Sequence, residues 1–265
     1  MDNNYTQTDL DRPIRLDFAR GEAVLYTHRS PEKMTVNEDC AALIPYDSAS
    51  GVLVIADGLG GQPNGETASK TAIESISNSI TKASTANISL REAILDGIEK
   101  ANQRILNQVG GAATTLAVIE IQNNQVRPFH VGDSMILVCG QRGKIKLQSI
   151  AHSPVGYAVE SGLLDEDEAI HHEERHLISN VVGADDMSIE IGSQRQLDKH
   201  DTAIVASDGL FDNLYLSEIT ELIRKGDLEN AAMQLVELAQ QRMKEKVSDL
   251  PCHPDDLTFI LFRHH

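Results

Sequence analysis

The run from Val52 to Glu66, VLVIADGLGGQPNGE, constrains this chain more than any other stretch. Val52 to Ala56 is apolar without a break, which describes a strand buried on both faces, yet it stops at a carboxylate, Asp57. Gly58, Gly60 and Gly61 let the backbone turn sharply and lie close to whatever Asp57 holds, which points to a cation or a phosphate. After Asn64 a helix is expected, with Glu66 in its first turn and Ala68, Ala72, Ile73, Ile76 and Ile80 at helical spacing. A single Asp-Gly of this kind is most simply a turn cap.

The device recurs. Thr202 to Ala206 is apolar apart from its first residue and runs through Ser207 into Asp208-Gly209, and Val126 to Val131 runs into Gly132-Asp133-Ser134. Strands that each end in an acid can bring their carboxylates together on one side of a sheet, and oxygen ligands are what hard divalent ions prefer. Composition narrows the partners: 40 acidic against 23 basic residues give a formal net charge of -17, which disfavours nucleic acid. Three cysteines, Cys40, Cys139 and Cys252, have no metal-type spacing and read as reduced thiols. No apolar signal core or membrane-length stretch is present, so the expectation is a soluble cytoplasmic protein without a membrane partner.

Taken in order, Ile14–Phe18 and Ala23–Tyr26 pattern as a hairpin, followed by a charged loop from Arg29 to Met34. Glu38 and Asp39 stand directly before a strand, Ala41–Ile44, that precedes the central one. The helix after Gly65 should end near Ala83, and Ser89 with Glu92 forms a capping box for a second helix that stops at Gly110-Gly111. Four short runs between Thr115 and Ile150, broken by turn residues, predict an antiparallel meander. Residues 152–186 suit short helices over the sheet; His152, His171, His172 and His176 match no closed zinc site and read as surface or helix-capping histidines. Helices near Ser217–Arg224 and Leu228–Val247 follow, and His253-Pro254-Asp255-Asp256 leads into a last strand, Leu257–Phe262.

Glu38, Asp57, Asp133, Asp208 and Asp255 thus all sit at strand margins, and no Ser-His-Asp or Cys-His arrangement competes for a nucleophile role. Such a cluster repels itself without cations. Two hard divalent ions bridged by Asp57 would neutralise it, generate a hydroxide at neutral pH, and suit in-line attack on a phosphoester.

Asn37-Glu38-Asp39, Asp57-Gly58-Leu59-Gly60-Gly61, Gly132-Asp133-Ser134, Ser207-Asp208-Gly209 and Asp255-Asp256-Leu257-Thr258 together resemble the bacterial form of the PPM, or protein phosphatase 2C, family of metal-dependent serine/threonine phosphatases, in order and separation. The resemblance spans nearly the whole chain. It implies an α+β fold, a four-layer α-β-β-α sandwich of two antiparallel sheets flanked by helix pairs, as one domain over 1–265 with a flap near 152–186. It implies dephosphorylation of phosphoserine and phosphothreonine by a metal-bridging water or hydroxide, with Asp57 and Asp208 central to catalysis. The ligand set it implies is Glu38, Asp39 (through water), Asp57, the Gly58 carbonyl, Asp208 and Asp255 for two Mg²⁺ or Mn²⁺ ions, with Asp133 and Asp208 for a third. The implied partners are a phosphorylated protein and a cognate kinase.

Two positions depart from the family. Leu59 stands where eukaryotic members often carry a His, a candidate general acid, and Met34 stands where an Arg usually grips the substrate phosphate. Lys33 and Arg29 are the nearby substitutes, although neither offers the same bidentate fork. Two other readings follow: a metal-binding regulator of this fold with weak or no turnover, and a two-metal phosphodiesterase or nuclease, which the net charge disfavours.

Overall fold

The computed structural model describes residues 3–31, 33–59, 64–86, 88–247 and 250–264. Gly60 and Gly61, expected to shape the loop after Asp57, lie outside them. Two antiparallel sheets form the centre. The first is ordered β1 (Asn3–Thr6), β4 (Asp39–Pro45), β5 (Ser50–Asp57), β6 (Leu116–Gln122), β7 (Gln125–Val131) and β10 (Glu190–Ile191), with β11 (Arg195–Gln196) also on β7. The second is ordered β2 (Ile14–Phe18), β3 (Gly21–His28), β13 (Leu257–His264), β12 (Thr202–Ala206), β8 (Met135–Cys139) and β9 (Ile145–Gln148).

The unbroken apolar strands are explained by what each face meets. Along β4 and β5, Cys40, Ala42, Ile44, Val52, Val54 and Ala56 pack against the helices α1 (Gly65–Ala86) and α2 (Leu90–Gln108). The alternate residues Ala41, Leu43, Leu53 and Ile55 face the second sheet, where they meet Leu25, Val205, Ile260 and Phe262. The outer face of that second sheet, with Val24, Ile204, Phe259 and Leu261, is covered by α6 (Leu216–Ile223) and α7 (Leu228–Lys244). Three apolar interfaces therefore separate four layers, and a period of two is hidden because both faces are buried.

Helix starts follow local chemistry. Ser89 accepts a hydrogen bond from the Glu92 N–H at 3.2 Å, and Asp227 accepts from Asn230 N–H at 3.0 Å, each satisfying an orphan donor of the first turn. The expected meander is corrected at Gly132. β6 and β7 pair as a hairpin, but β7 and β8 belong to different sheets, so the chain crosses the sandwich at Gly132-Asp133-Ser134. The sequence shows turn residues there and not which sheet the next strand joins. The first helix also runs to Ala86, and β1, β10 and β11 are short edge strands with too few residues to show a pattern.

Between β9 and β10 the chain forms α3 (Pro154–Glu160) and α4 (Glu166–Ala169), the short helices expected for this stretch. His171, His172 and His176 are exposed. His152 is not a surface residue: it is 5% exposed, its ring stacks on buried His130 at a centroid distance of 4.3 Å, and its Nε2 lies 3.1 Å from Glu190. Its partners are 20 to 38 residues away in sequence, which is why a spacing argument does not find them.

Candidate active site

The carboxylates converge where the sandwich strands end on one side. Asp39 and Asp57 are register partners on β4 and β5, so two acids face each other across a strand pair. The Asp57 carbonyl accepts hydrogen bonds from Thr115 N–H (2.8 Å) and Thr114 Oγ1 (2.7 Å), which fixes the last residue of β5 against the start of β6. Gly58 N–H donates to Glu38 O at 3.2 Å, and a Cβ at Gly58 would stand 2.3 Å from Gly65 O. Only glycine allows this close approach of β5, the Glu38 loop and the start of α1.

Asp208 comes from the other sheet. It opens α5 (Asp208–Phe211) after β12, and Gly209 packs so tightly on the chain before β13 that a Cβ would lie 1.9 Å from Asp256 O. That approach brings Asp208 beside Asp255. The loop carrying Asp255 is fixed by buried Asn213, whose Nδ2 donates to His253 O and whose Oδ1 accepts from His253 N–H, both at 2.8 Å. Asp133 arrives from the crossover between the sheets, with Thr115 Oγ1 and Ser134 Oγ 2.6 Å apart beneath it.

The convergence sets the electrostatics. Burial, then the charges of Asp39, Asp208, Asp255 and Asp133, raise Asp57 well above the usual carboxylate range. Asp208 is raised in the same way by burial and by Asp255, Asp212, Asp133 and Asp39. Burial and neighbouring Asp256 push Asp39 up to about 8, against the hydrogen bonds from Ser207 and Thr258, and burial with Asp255 pushes Asp133 to about 6. Asp255 is raised too, chiefly by burial. Asp39 Oδ1, Asp133 Oδ1 and Asp208 Oδ1 are buried with no hydrogen-bond partner among the described residues. Unpartnered, desolvated carboxylate oxygens from three separate strand ends are a donor set that fits hard divalent cations.

Asp256 plays a different part from its neighbour. Its carboxylate accepts from Ser30 N–H (2.8 Å), Glu38 N–H (2.7 Å) and Lys33 Nζ (2.6 Å), so it holds the 30–38 loop in place. Lys33 Nζ also lies 2.5 Å from Glu38 Oε2. Burial alone would depress the Lys33 ammonium, but the hydrogen bonds to Asp256 and Glu38 outweigh it and hold it above its ordinary value. Arg29 is not brought to the cluster: it pairs with Asp9 at 3.3 Å and donates to Thr35 O. Met34 is 95% exposed.

One acid was not singled out by the sequence reasoning. Asp212 stands four residues after Asp208, one turn along α5 and its cap, and is pushed up to about 7 by burial and by Asp133 and Asp255, against the opposing charge of Arg175 at 3.2 Å. The i,i+4 spacing of two acids was the available signal, since like charges so placed repel.

Comparison with known proteins agrees with this geometry. Residues 28–249 match the Protein phosphatase 2C family. Protein phosphatase PhpP of Streptococcus pneumoniae is 30% identical over 201 residues, covering 72% of this chain and 80% of that protein. A putative protein phosphatase 2C-type of Streptococcus pyogenes is 27% identical, covering 80% and 88%. Among solved structures, the S. agalactiae serine/threonine phosphatase superposes with a TM-score of 0.76 at 25% identity, covering 92% of this chain and all of that one. The catalytic domain of the phosphatase PstP in complex with two manganese ions shares the fold, with a TM-score of 0.69 at 23% identity, covering 91% and 96%. With the family matched over most of its length and its carboxylates gathered at one end of a four-layer sandwich, the chain belongs to the protein phosphatase 2C family of serine/threonine phosphatases.

Proposed function

We propose that residues 1–265 form a single catalytic unit, with 152–186 as a flap, that dephosphorylates phosphoserine and phosphothreonine in proteins. The observation that carries the reading is the set of buried, unpartnered oxygens on Asp39, Asp133 and Asp208 around Asp57. In this reading two Mg²⁺ or Mn²⁺ ions would be held by Asp57 together with Asp208 and Asp255 on one side and Glu38 and the Gly58 carbonyl on the other. Asp39 acts through water, and Asp133 with Asp208 offers a third site. PstP with its two manganese ions is a precedent within the fold. Such ions supply Lewis acidity towards the phosphoryl oxygens and lower the pKa of water.

The chain's own groups do the rest. The carboxylates hold their geometry before substrate arrives, because Asp39 and Asp57 are paired in register at strand ends and the loops carrying Glu38 and Asp255 are tied down by Asp256 and Asn213. Asp256 keeps Glu38 and Lys33 in register with Asp57. Lys33 is the candidate cation for a substrate phosphate, although two carboxylates already engage it. Leu59 offers no proton, so the leaving oxygen takes its proton from water or from another group. Exposed Met34 favours one second reading, a metal-binding regulator that retains phospho-ligands without turnover. The acidic balance of the chain disfavours a polyanionic nucleic-acid substrate. No helix among the described residues is long and apolar enough to cross a membrane, and buried Cys40 and Cys139 are free thiols, which supports placing the protein in the cytoplasm, where a cognate kinase would supply its substrates.

The test is turnover of a small aryl phosphate. Activity should be absent in chelator and return with Mn²⁺ or Mg²⁺. Folded protein that is inactive at every metal concentration would leave the regulator reading.

A further inference from the structure

A cavity of about 380 Å³ lies between the flap and the sandwich. One end is floored by Asp133 and Asp208. Its walls are largely apolar, with Val155 and Val159 of α3, Ile170 beyond α4, Met135 of β8, Phe211 of α5 and Leu214, and the paired Arg175 and Asp212 also line it. Exposed Glu160, Glu166 and Asp167 stand at its flap side.

The flap is pinned over this space by polar contacts at its margins. Gln148 Nε2 donates to Glu166 Oε1 at 2.8 Å. The Arg175 guanidinium lies 3.2 Å from the Asp212 carboxylate and donates to Ile170 O at 2.6 Å. His171 Nε2 and Tyr215 Oη are 3.0 Å apart. The contacts hold α3 and α4 as a roof, so the apolar walls face one another across a gap and do not close on each other. Arg175 is already engaged by Asp212, and the apolar part of the walls has an apolar group as its complement.

We propose that this cavity is a specificity subsite, which takes a large apolar side chain of the phosphoprotein next to the phosphorylated residue, while the acidic side of the flap favours a basic residue beyond it. This rests on the phosphatase reading above. A phosphate held at the carboxylate end places the flanking residues of an extended peptide at the cavity mouth, because each residue advances the chain by about 3.3 Å. Of the peptide's side chains, only an apolar one is stabilised by leaving water for Val159, Ile170 and Phe211.

Phosphothreonine peptides that differ only in Leu or Gly, placed in turn at the two positions on each side of the phosphothreonine, test the subsite with the Mn²⁺-loaded protein. At one position the Leu peptide should exceed its Gly counterpart about tenfold in kcat/KM, equivalent to about 1.4 kcal/mol. Uncleavable phosphonate versions should show the same ratio in Kd. Val159→Trp, which fills the cavity, should bring the ratio towards one; the ratio is read within each protein, so a general loss of activity does not imitate the result. Replacing a Lys beyond the apolar residue with Glu should lower kcat/KM severalfold, and added salt should shrink that difference. Leu and Gly peptides within twofold of each other at every position would overturn the subsite. Absence of turnover for aryl phosphate and peptides alike would instead overturn the phosphatase reading beneath it, a separate result.

Discussion

Asp57 is at once the end of a strand and the centre of a repelling cluster, and the two roles make different demands. As a turn cap it would stabilise the fold; as one of several raised carboxylates it strains it. Asp57→Asn and Asp208→Asn should therefore lower turnover by more than about a hundredfold, since loss of even an outer-shell partner costs 10- to 100-fold. The melting temperature in chelator at pH 8 should stay level or rise, because one of several like charges is removed. Calorimetry decides the matter, and a large fall would make these acids structural caps. Met34 is the opposite case, a solvent-facing side chain where the family usually carries a phosphate-gripping Arg. Met34→Arg should lower KM for aryl phosphate about tenfold, with little change in kcat, if one charge-assisted pair contributes about 1.5 kcal/mol to ground and transition states alike. An unchanged KM together with a sharp rise in Lys33→Ala would show that Lys33 already fills that role despite its bonds to Glu38 and Asp256.

At the scale of elements, the segment 152–186 and the crossover meet at one residue. His152 N–H donates to Gly132 O, its Nδ1 accepts from Gly132 N–H at 3.1 Å and lies 2.8 Å from Asn180 Nδ2, and its carbonyl accepts from Ser179. The start of the 152–186 segment, residues 179–180 near its far end and the turn carrying Asp133 are thus held by a single buried side chain and its backbone. His152→Ala would leave the buried Gly132 N–H without its acceptor, at a cost of about 1–3 kcal/mol. For a chain of this size that is a fall of several degrees in melting temperature, with faster proteolysis within 152–186. His152→Asn, whose Oδ1 can take the place of Nδ1, should recover most of it. If the Ala variant keeps both its melting temperature and its protease resistance, the 152–186 segment is fastened elsewhere, through Gln148, Tyr215 and Asp212.

The whole molecule carries the cluster as a pH-dependent burden. Asp39 at about 8, Asp133 at about 6 and Asp212 at about 7 each keep a proton in the folded state to a higher pH than in the unfolded chain. From about pH 4, the usual carboxylate range, up to about pH 8 the folded state therefore binds more protons, and stability falls as pH rises. In chelator the melting temperature should drop between pH 5.5 and 8; saturating Mn²⁺ should remove most of the drop, since the ions take over the role of the protons. A profile that does not change with metal would mean that the carboxylates do not share an ion. The sequence by itself determined the local part of this arrangement: strands ending in Asp57, Asp133 and Asp208, the acids Glu38, Asp39 and Asp255 beside strands, and amphipathic helices that need a sheet to cover. These are readable because propensity and periodicity act over a few residues. Tertiary structure alone decided that β7 and β8 lie in different sheets, that His152 is buried against His130 and Glu190, that Asp256 and not Asp255 organises the 30–38 loop, and that apolar walls face each other beneath the flap. Each of these depends on partners brought together across long separations in the chain, and the local alternation of apolar and polar residues carries no record of which distant surface a strand or side chain will meet.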